Sequence, residues 1–115
     1  MKVAVIGLGG IASKAYLPVL GVREDLELQL VSRTAETVRC FQDQYRIPFG
    51  ATDLAEVEAW KPDAAFVLTP SPTHFEIAHR LLAAGIDVFI EKPATLHARQ
   101  TRILAELAET RERVL

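Results

Sequence analysis

The feature that most constrains this chain is a cluster of glycines directly behind a short apolar run. Val3-Ala4-Val5-Ile6 leads straight into Gly7-Leu8-Gly9-Gly10-Ile11-Ala12. The apolar run reads as a strand buried on both faces, as in a parallel sheet. The segment from Ile11 to Leu20 reads as a helix, which Pro18 should end or distort. A Gly-x-Gly-x-x-Ala turn between a strand and a helix stands in the context that nucleotide binding requires. Gly7 lets the chain turn sharply. Gly9 has no side chain, so a pyrophosphate can approach the backbone, and Ala12 is small enough for the helix to pack against the strand. The helix N-terminus then offers N–H groups and partial positive charge to phosphates. The plainer reading is a tight corner that holds no ligand.

The alternation of strand and helix continues. Leu26–Val31 alternates and reads as a second strand. Thr34 caps a helix from about Ala35 to Tyr45, with Glu36 in its first turn. A short third strand falls near Phe49–Ala51, and Asp53 caps a brief helix over Leu54–Ala59. Ala64–Leu68 is a fourth strand. Thr69-Pro70-Ser71-Pro72-Thr73 is a loop, because two prolines do not fit a central strand. His74–Ala84 has helical apolar spacing and stops at Gly85. Ile86–Ile90 is a fifth strand. Thr95 caps a last helix to about Arg111, with Leu96, Ile103, Leu104 and Leu107 on one side. Val114-Leu115 resembles the start of a sixth strand. This pattern predicts an α/β fold: a three-layer, doubly wound parallel sheet of the Rossmann type, as one domain over residues 1–115.

Bulk properties narrow the function. The chain has 115 residues, enough for one core and not comfortably for two. Thirteen basic and fifteen acidic residues give a net charge of −2, so no broad positive field points to nucleic acid. The single Cys40 excludes an internal disulfide and a cysteine metal site, and fits a cytoplasmic setting. The N-terminus loosely imitates a signal peptide, but it carries one lysine, and its glycines would break a helical apolar core. No apolar run approaches the roughly 20 residues of a membrane span. His74, His79 and His97 are too scattered for a metal site, and none is expected. The chain thus reads as a soluble protein.

The end of the second strand points to the kind of nucleotide. An NAD site places an Asp or Glu there, roughly 20 residues past the glycine turn, to hold the ribose hydroxyls. Here stand Ser32, Arg33 and Thr34, with no acid. A carboxylate would repel a 2′-phosphate, whereas a hydroxyl and a forked guanidinium bind it. NADP is therefore favoured over NAD. The missing acid also weakens an S-adenosylmethionine site. The alternative is that Arg33 is a solvated charge whose stem packs against an adenine.

Two further loops leave strands at the end where open α/β sheets place ligands. In Leu68–His74 the prolines stiffen the backbone, Ser71 or Thr73 can cap the next helix, and His74 is a candidate to face the cofactor. Its bland alternative is a helix-start residue bonded to backbone or water. His79 and His97 read as helix-surface residues. The second loop is Ile90-Glu91-Lys92-Pro93. Pro93 ends the strand and sets Lys92 at the sheet edge, where an ammonium can hold a substrate hydroxyl and assist proton transfer. Glu91 either pairs with Lys92 or holds the loop. A surface ion pair is the alternative for both.

VAVIGLGGIA, SRT, TPSPTH and EKP, in this order and spacing, resemble the N-terminal domain of the Gfo/Idh/MocA family of oxidoreductases. The opening GGIASKAYLPVL is especially similar to its MviM-like members. EKP is the specific part, since many families share the glycine turn. The resemblance implies a cofactor loop at Gly7, Gly9 and Ala12, with Leu8, Gly10 and Ile11 between them. It implies ribose or 2′-phosphate contacts at Ser32 and Arg33, with Thr34 beside them. Thr69, Pro70 and His74 match the nicotinamide-side loop. Glu91, Lys92 and Pro93 match the EKP motif, whose lysine helps orient substrate and cofactor and is the candidate catalytic residue.

The family also implies a C-terminal domain that carries most of the substrate pocket and the homo-oligomer contacts, and which these residues lack. The expected function is NADP- or NAD-dependent hydride transfer to or from a sugar, cyclitol or similar small hydroxylated substrate. The chain alone is expected to bind cofactor without turnover. The competing readings are a nucleotide-binding sensor or regulatory module without chemistry, and an interaction domain with an empty Rossmann fold.

Overall fold

In a computed structural model describing all 115 residues, the apolar run at the N-terminus is the central strand of a five-stranded parallel sheet. The strands are β1 (Lys2–Ile6), β2 (Glu27–Val31), β3 (Phe49–Ala51), β4 (Ala64–Val67) and β5 (Asp87–Ile90), in the order β3-β2-β1-β4-β5. Val3 aligns with Leu28 on one side and Ala64 on the other. Beyond Lys2, β1 is apolar because both its faces are covered.

Helix α1 opens as a π-helical turn, Ala12–Tyr16, and continues as α-helix over Leu17–Leu20. It shares one face of the sheet with α2 (Ala35–Tyr45), where Ala12, Leu17 and Val38 pack on Val3, Val5, Leu28 and Leu30. Helices α3 (Leu54–Trp60), α4 (His74–Ala83) and α5 (Ala98–Thr110) cover the other face, packing Val57, Ala78, Leu81, Leu82 and Leu104 on Ala4, Ile6, Ala65 and Val67. The three layers follow from this division. No helix is long and apolar enough to cross a membrane.

Several local expectations are refined. Pro18 does not end its helix. It has no N–H for the Lys14 carbonyl, so the turn before it widens, and the Leu17 N–H reaches the Ala12 carbonyl. Pro18 then lies in the first α-helical turn, where a missing N–H costs nothing. In β2, Gln29, at a polar position of the alternation, is only 4% exposed, and its Oε1 has no hydrogen-bond partner. The loop after β4 contains a short 3₁₀ turn, Ser71–Thr73, and neither residue caps α4 through its side chain. Asp53 does cap α3, accepting from the Glu56 N–H.

Thr95 does not cap the last helix, which starts three residues later after His97. Its buried hydroxyl donates to the His97 carbonyl at 2.8 Å and pairs with the Thr101 hydroxyl at 2.7 Å. Leu96 therefore lies outside the helix and is exposed. Past α5 the chain returns to the sheet, where the Val88 N–H donates to the Val114 carbonyl at 2.9 Å, so Val114 lies alongside β5.

Candidate functional site

The C-terminal ends of the strands are tied together by one row of main-chain hydrogen bonds. Ser32 donates to Ala51, Gly7 to Val31, Leu68 to Ile6, and Glu91 to Val67, at 2.8 to 3.3 Å. The glycine turn, the Ser32 loop, the Thr69 loop and the Glu91 loop therefore leave the sheet side by side. Strand order reverses between β1 and β4, which opens the crevice where such sheets bind ligands.

Gly7 is required by its own backbone. Its φ is +98°, and a Cβ there would lie 2.8 Å from the main chain of Leu68 and Thr69. Gly9 and Gly10 differ, since a Cβ at either would meet nothing within 4 Å. The N–H groups of Leu8 and Gly9 have no acceptor within the chain. Leu8 and Ala12 are buried and anchor the turn from below, while Ile11 is exposed on it. An open backbone with free donors over a buried base fits a pyrophosphate.

At the end of β2, Ser32 is half-buried and Arg33 and Thr34 are exposed. Arg33 makes no ion pair, and none of the three side chains makes a hydrogen bond in the chain. Thr34 is the N-cap of α2 by position but its side chain accepts no capping bond. These groups are thus available to an anion beside the glycine turn.

Of the two readings of His74, the structure shows the helix-start residue bonded to backbone. The imidazole is 1% exposed. Its Nδ1 lies 2.9 Å from the Pro93 carbonyl and its Nε2 lies 2.7 Å from the Thr69 carbonyl. Both nitrogens are occupied by main chain, and the ring lies beneath the loops that carry Thr69 and Lys92. Thr69 is half-buried and Pro70 exposed above it. The Thr73 hydroxyl lies 2.7 Å from both the Pro70 carbonyl and the Thr69 hydroxyl, which stiffens the same loop.

Glu91 holds the loop and does not pair with the Lys92 ammonium. One oxygen accepts from the Tyr16 hydroxyl, and the other accepts from the Lys92 main-chain N–H at 3.0 Å. The Tyr16 hydroxyl, then the neighbouring N–H and positive charges, hold the Glu91 carboxyl below the usual carboxylate range. The same bond, with some burial and the nearby negative charge, raises the Tyr16 phenol above its ordinary value. Lys92 is exposed, and its ammonium makes no hydrogen bond or ion pair. The Lys92–Pro93 peptide bond is cis. Tyr16 is the residue that sequence reasoning missed. The available signal was a tyrosine one turn beyond Ala12, in the helix that starts at the glycine turn.

No group of three or more His, Cys, Asp or Glu is placed to hold a metal. A hollow of about 910 Å³ lies elsewhere, an apolar trough alongside β4 and β5 lined by Val3, Leu26, Phe66 and Phe89 among others. Its lining is mostly hydrophobic, in contrast to the free main-chain donors at the strand ends.

Known proteins share this fold. The family model described as an oxidoreductase family with an NAD-binding Rossmann fold matches residues 1–115. A crystal structure of a Gfo/Idh/MocA family oxidoreductase from Vibrio cholerae superposes with a TM-score of 0.96 at 37% identity, covering 99% of this chain and 37% of that one. KijD10, a 3-ketoreductase from Actinomadura kijaniata crystallised with TDP-benzene and NADP, gives a TM-score of 0.91 at 30% identity, over 100% of this chain and 37% of that one. D-glucoside 3-dehydrogenase of Escherichia coli K12 is 31% identical over 100% of this chain and 33% of its own length. The chain spans about a third of the length of these relatives. With its glycine turn, its EKP loop and a family match over every residue, the chain belongs to the Gfo/Idh/MocA oxidoreductases, as their NAD-binding Rossmann domain.

Proposed function

We propose that this chain is the cofactor domain of an NADP-dependent oxidoreductase acting on a sugar or similar hydroxylated compound. The observation that carries the cofactor choice is the end of β2, where Ser32, Arg33 and Thr34 stand unpaired and no acid is present. The solved relative KijD10, crystallised with NADP, supports it. The names of that 3-ketoreductase and of the D-glucoside 3-dehydrogenase support the substrate class.

In this reading the main chain of Gly7–Ala12 takes the pyrophosphate. The Ser32 and Thr34 hydroxyls and the forked Arg33 guanidinium take the ribose 2′-phosphate. Thr69 and Pro70 border the nicotinamide end, with His74 supporting them from below. When bound, the nicotinamide takes up or gives back the hydride. Lys92 holds the substrate hydroxyl and moves its proton as the carbon–oxygen bond changes order. A free ammonium on a loop whose main chain is held by Glu91 supports an enzyme over a nucleotide sensor, which has no use for one. The substrate pocket and the contacts of a homo-oligomer come from a further domain, consistent with the greater length of the relatives. The unpaired Cys40 suits the reducing cytoplasm.

Calorimetric titration with NADPH and with NADH tests this reading. NADPH is expected to bind at least about tenfold tighter, with Arg33→Ala bringing the ratio close to one. Equal or tighter binding of NADH by the unaltered chain overturns the NADP assignment.

A further inference from the structure

Tyr16 and Glu91 lie 75 residues apart in sequence, on the helix that follows the glycine turn and in the loop that carries Lys92. The Tyr16 ring is held by two neighbours, Phe66 at 5.7 Å and Phe89 at 5.9 Å between ring centres. Space filling would need no more than this ring. The hydroxyl is nevertheless aimed at Glu91 Oε2, while Glu91 Oε1 takes the Lys92 N–H. Glu91 is thereby engaged on both oxygens, and the Lys92 ammonium remains free beside it. Tyr16 closes the π-helical turn that begins at Ala12, the last residue of the Gly-x-Gly-x-x-Ala motif. A single side chain thus joins the two segments between which the two ends of a dinucleotide would lie.

We propose that Tyr16 is a positioning residue: by holding Glu91, its hydroxyl couples the helix behind the glycine turn to the EKP loop and sets where Lys92 stands relative to the cofactor. The proposal rests on the cofactor reading above. Tyr16 itself touches neither the reacting atoms nor the phosphates. Its work is to make the placement of the Lys92 loop depend on the element that seats the pyrophosphate.

Tyr16→Phe removes the hydroxyl and keeps the ring packing, and Glu91→Gln removes the charged acceptor and keeps the shape. Amide hydrogen exchange by NMR is the first readout. Both variants are expected to exchange Glu91 and Lys92 about tenfold faster, with Val5 and Leu30 unchanged. The double variant should be no worse than Glu91→Gln alone, because the Tyr16 bond is lost only once.

The second readout compares NADP⁺ with its fragment lacking nicotinamide, 2′-phospho-ADP-ribose. Tyr16→Phe is expected to weaken NADP⁺ about fivefold and leave the fragment unchanged. A merely structural residue would weaken both alike, and that result overturns the proposal. So does unchanged exchange at Lys92, which leaves the cofactor reading standing. If the unaltered chain binds neither ligand, the cofactor reading fails and this inference fails with it.

Discussion

The Nδ1 of His74 lies 2.9 Å from the main-chain carbonyl of Pro93, 19 residues further along the chain, and so pins the Lys92 loop to the start of α4. The other ring nitrogen lies 2.7 Å from the Thr69 carbonyl. A single buried imidazole is therefore packed between two of the four loops at the ligand end of the sheet, and the N–H of a neutral ring donates to one of the two carbonyls. His74→Ala leaves a cavity and removes that hydrogen bond. It is expected to lower stability by about 3 kcal/mol in urea titration. A loss below about 0.5 kcal/mol would show that the brace carries no weight.

The glycines of the turn have separable roles. Gly7→Ala must adopt a φ of +98° and push a Cβ to within 2.8 Å of the Leu68 and Thr69 backbone. It is expected to cost about 3 kcal/mol or more of stability. Gly9→Ala meets open space, so its thermal midpoint should move little. Its cofactor affinity should fall at least about tenfold, because the added methyl occupies the path of the pyrophosphate. Thermal melts and calorimetry on the two variants read the contrast directly.

The Tyr16–Glu91 bond makes stability depend on pH in a defined direction. The folded carboxyl of Glu91 is held below its unfolded value. Its contribution is therefore complete above an unfolded value of about 4.3 and is lost as pH falls through the lower folded value. The melting-temperature gap between the unaltered chain and Tyr16→Phe should be constant from pH 5 to 7, both ordinary assay values, and should close at lower pH. A gap that stays constant to the acid limit would contradict the bond.

Gln29 is buried on a sheet face among apolar residues with its Oε1 unpartnered. Gln29→Met keeps the shape and removes the unpaired oxygen. It is expected to raise stability by about 1 kcal/mol in the same denaturant assay. Destabilisation would mean that the amide is satisfied in solution.

Much of this architecture is legible in local patterns. The strand, glycine turn and helix at the N-terminus are written in consecutive residues. The limits of α2, Ala35 to Tyr45, match the positions of Thr34 in front and the Ile47-Pro48 break behind, although the Thr34 side chain makes no capping bond. What local pattern could not show is decided by distant partners. Gln29 looks like the solvent side of an alternating strand, yet a second helical layer covers it. Thr95 looks like a cap, yet its hydroxyl is drawn to Thr101. His74 looks like a ligand to a cofactor, yet a loop 19 residues away folds over it. The position of Tyr16 one turn beyond Ala12 is visible in the sequence, but its pairing with Glu91 is not, because the bond spans α1 and the end of β5.

The most direct measurement is an NMR titration of the ¹⁵N-labelled chain with NADP⁺, followed amide by amide. The account predicts shifts confined to Gly7–Ala12, Ser32–Thr34, Thr69 to His74 and Glu91 to Lys92, with the apolar trough by Phe66 and Phe89 silent. Shifts centred on that trough, or none on a folded chain, would contradict the claim that these strand ends form a dinucleotide site.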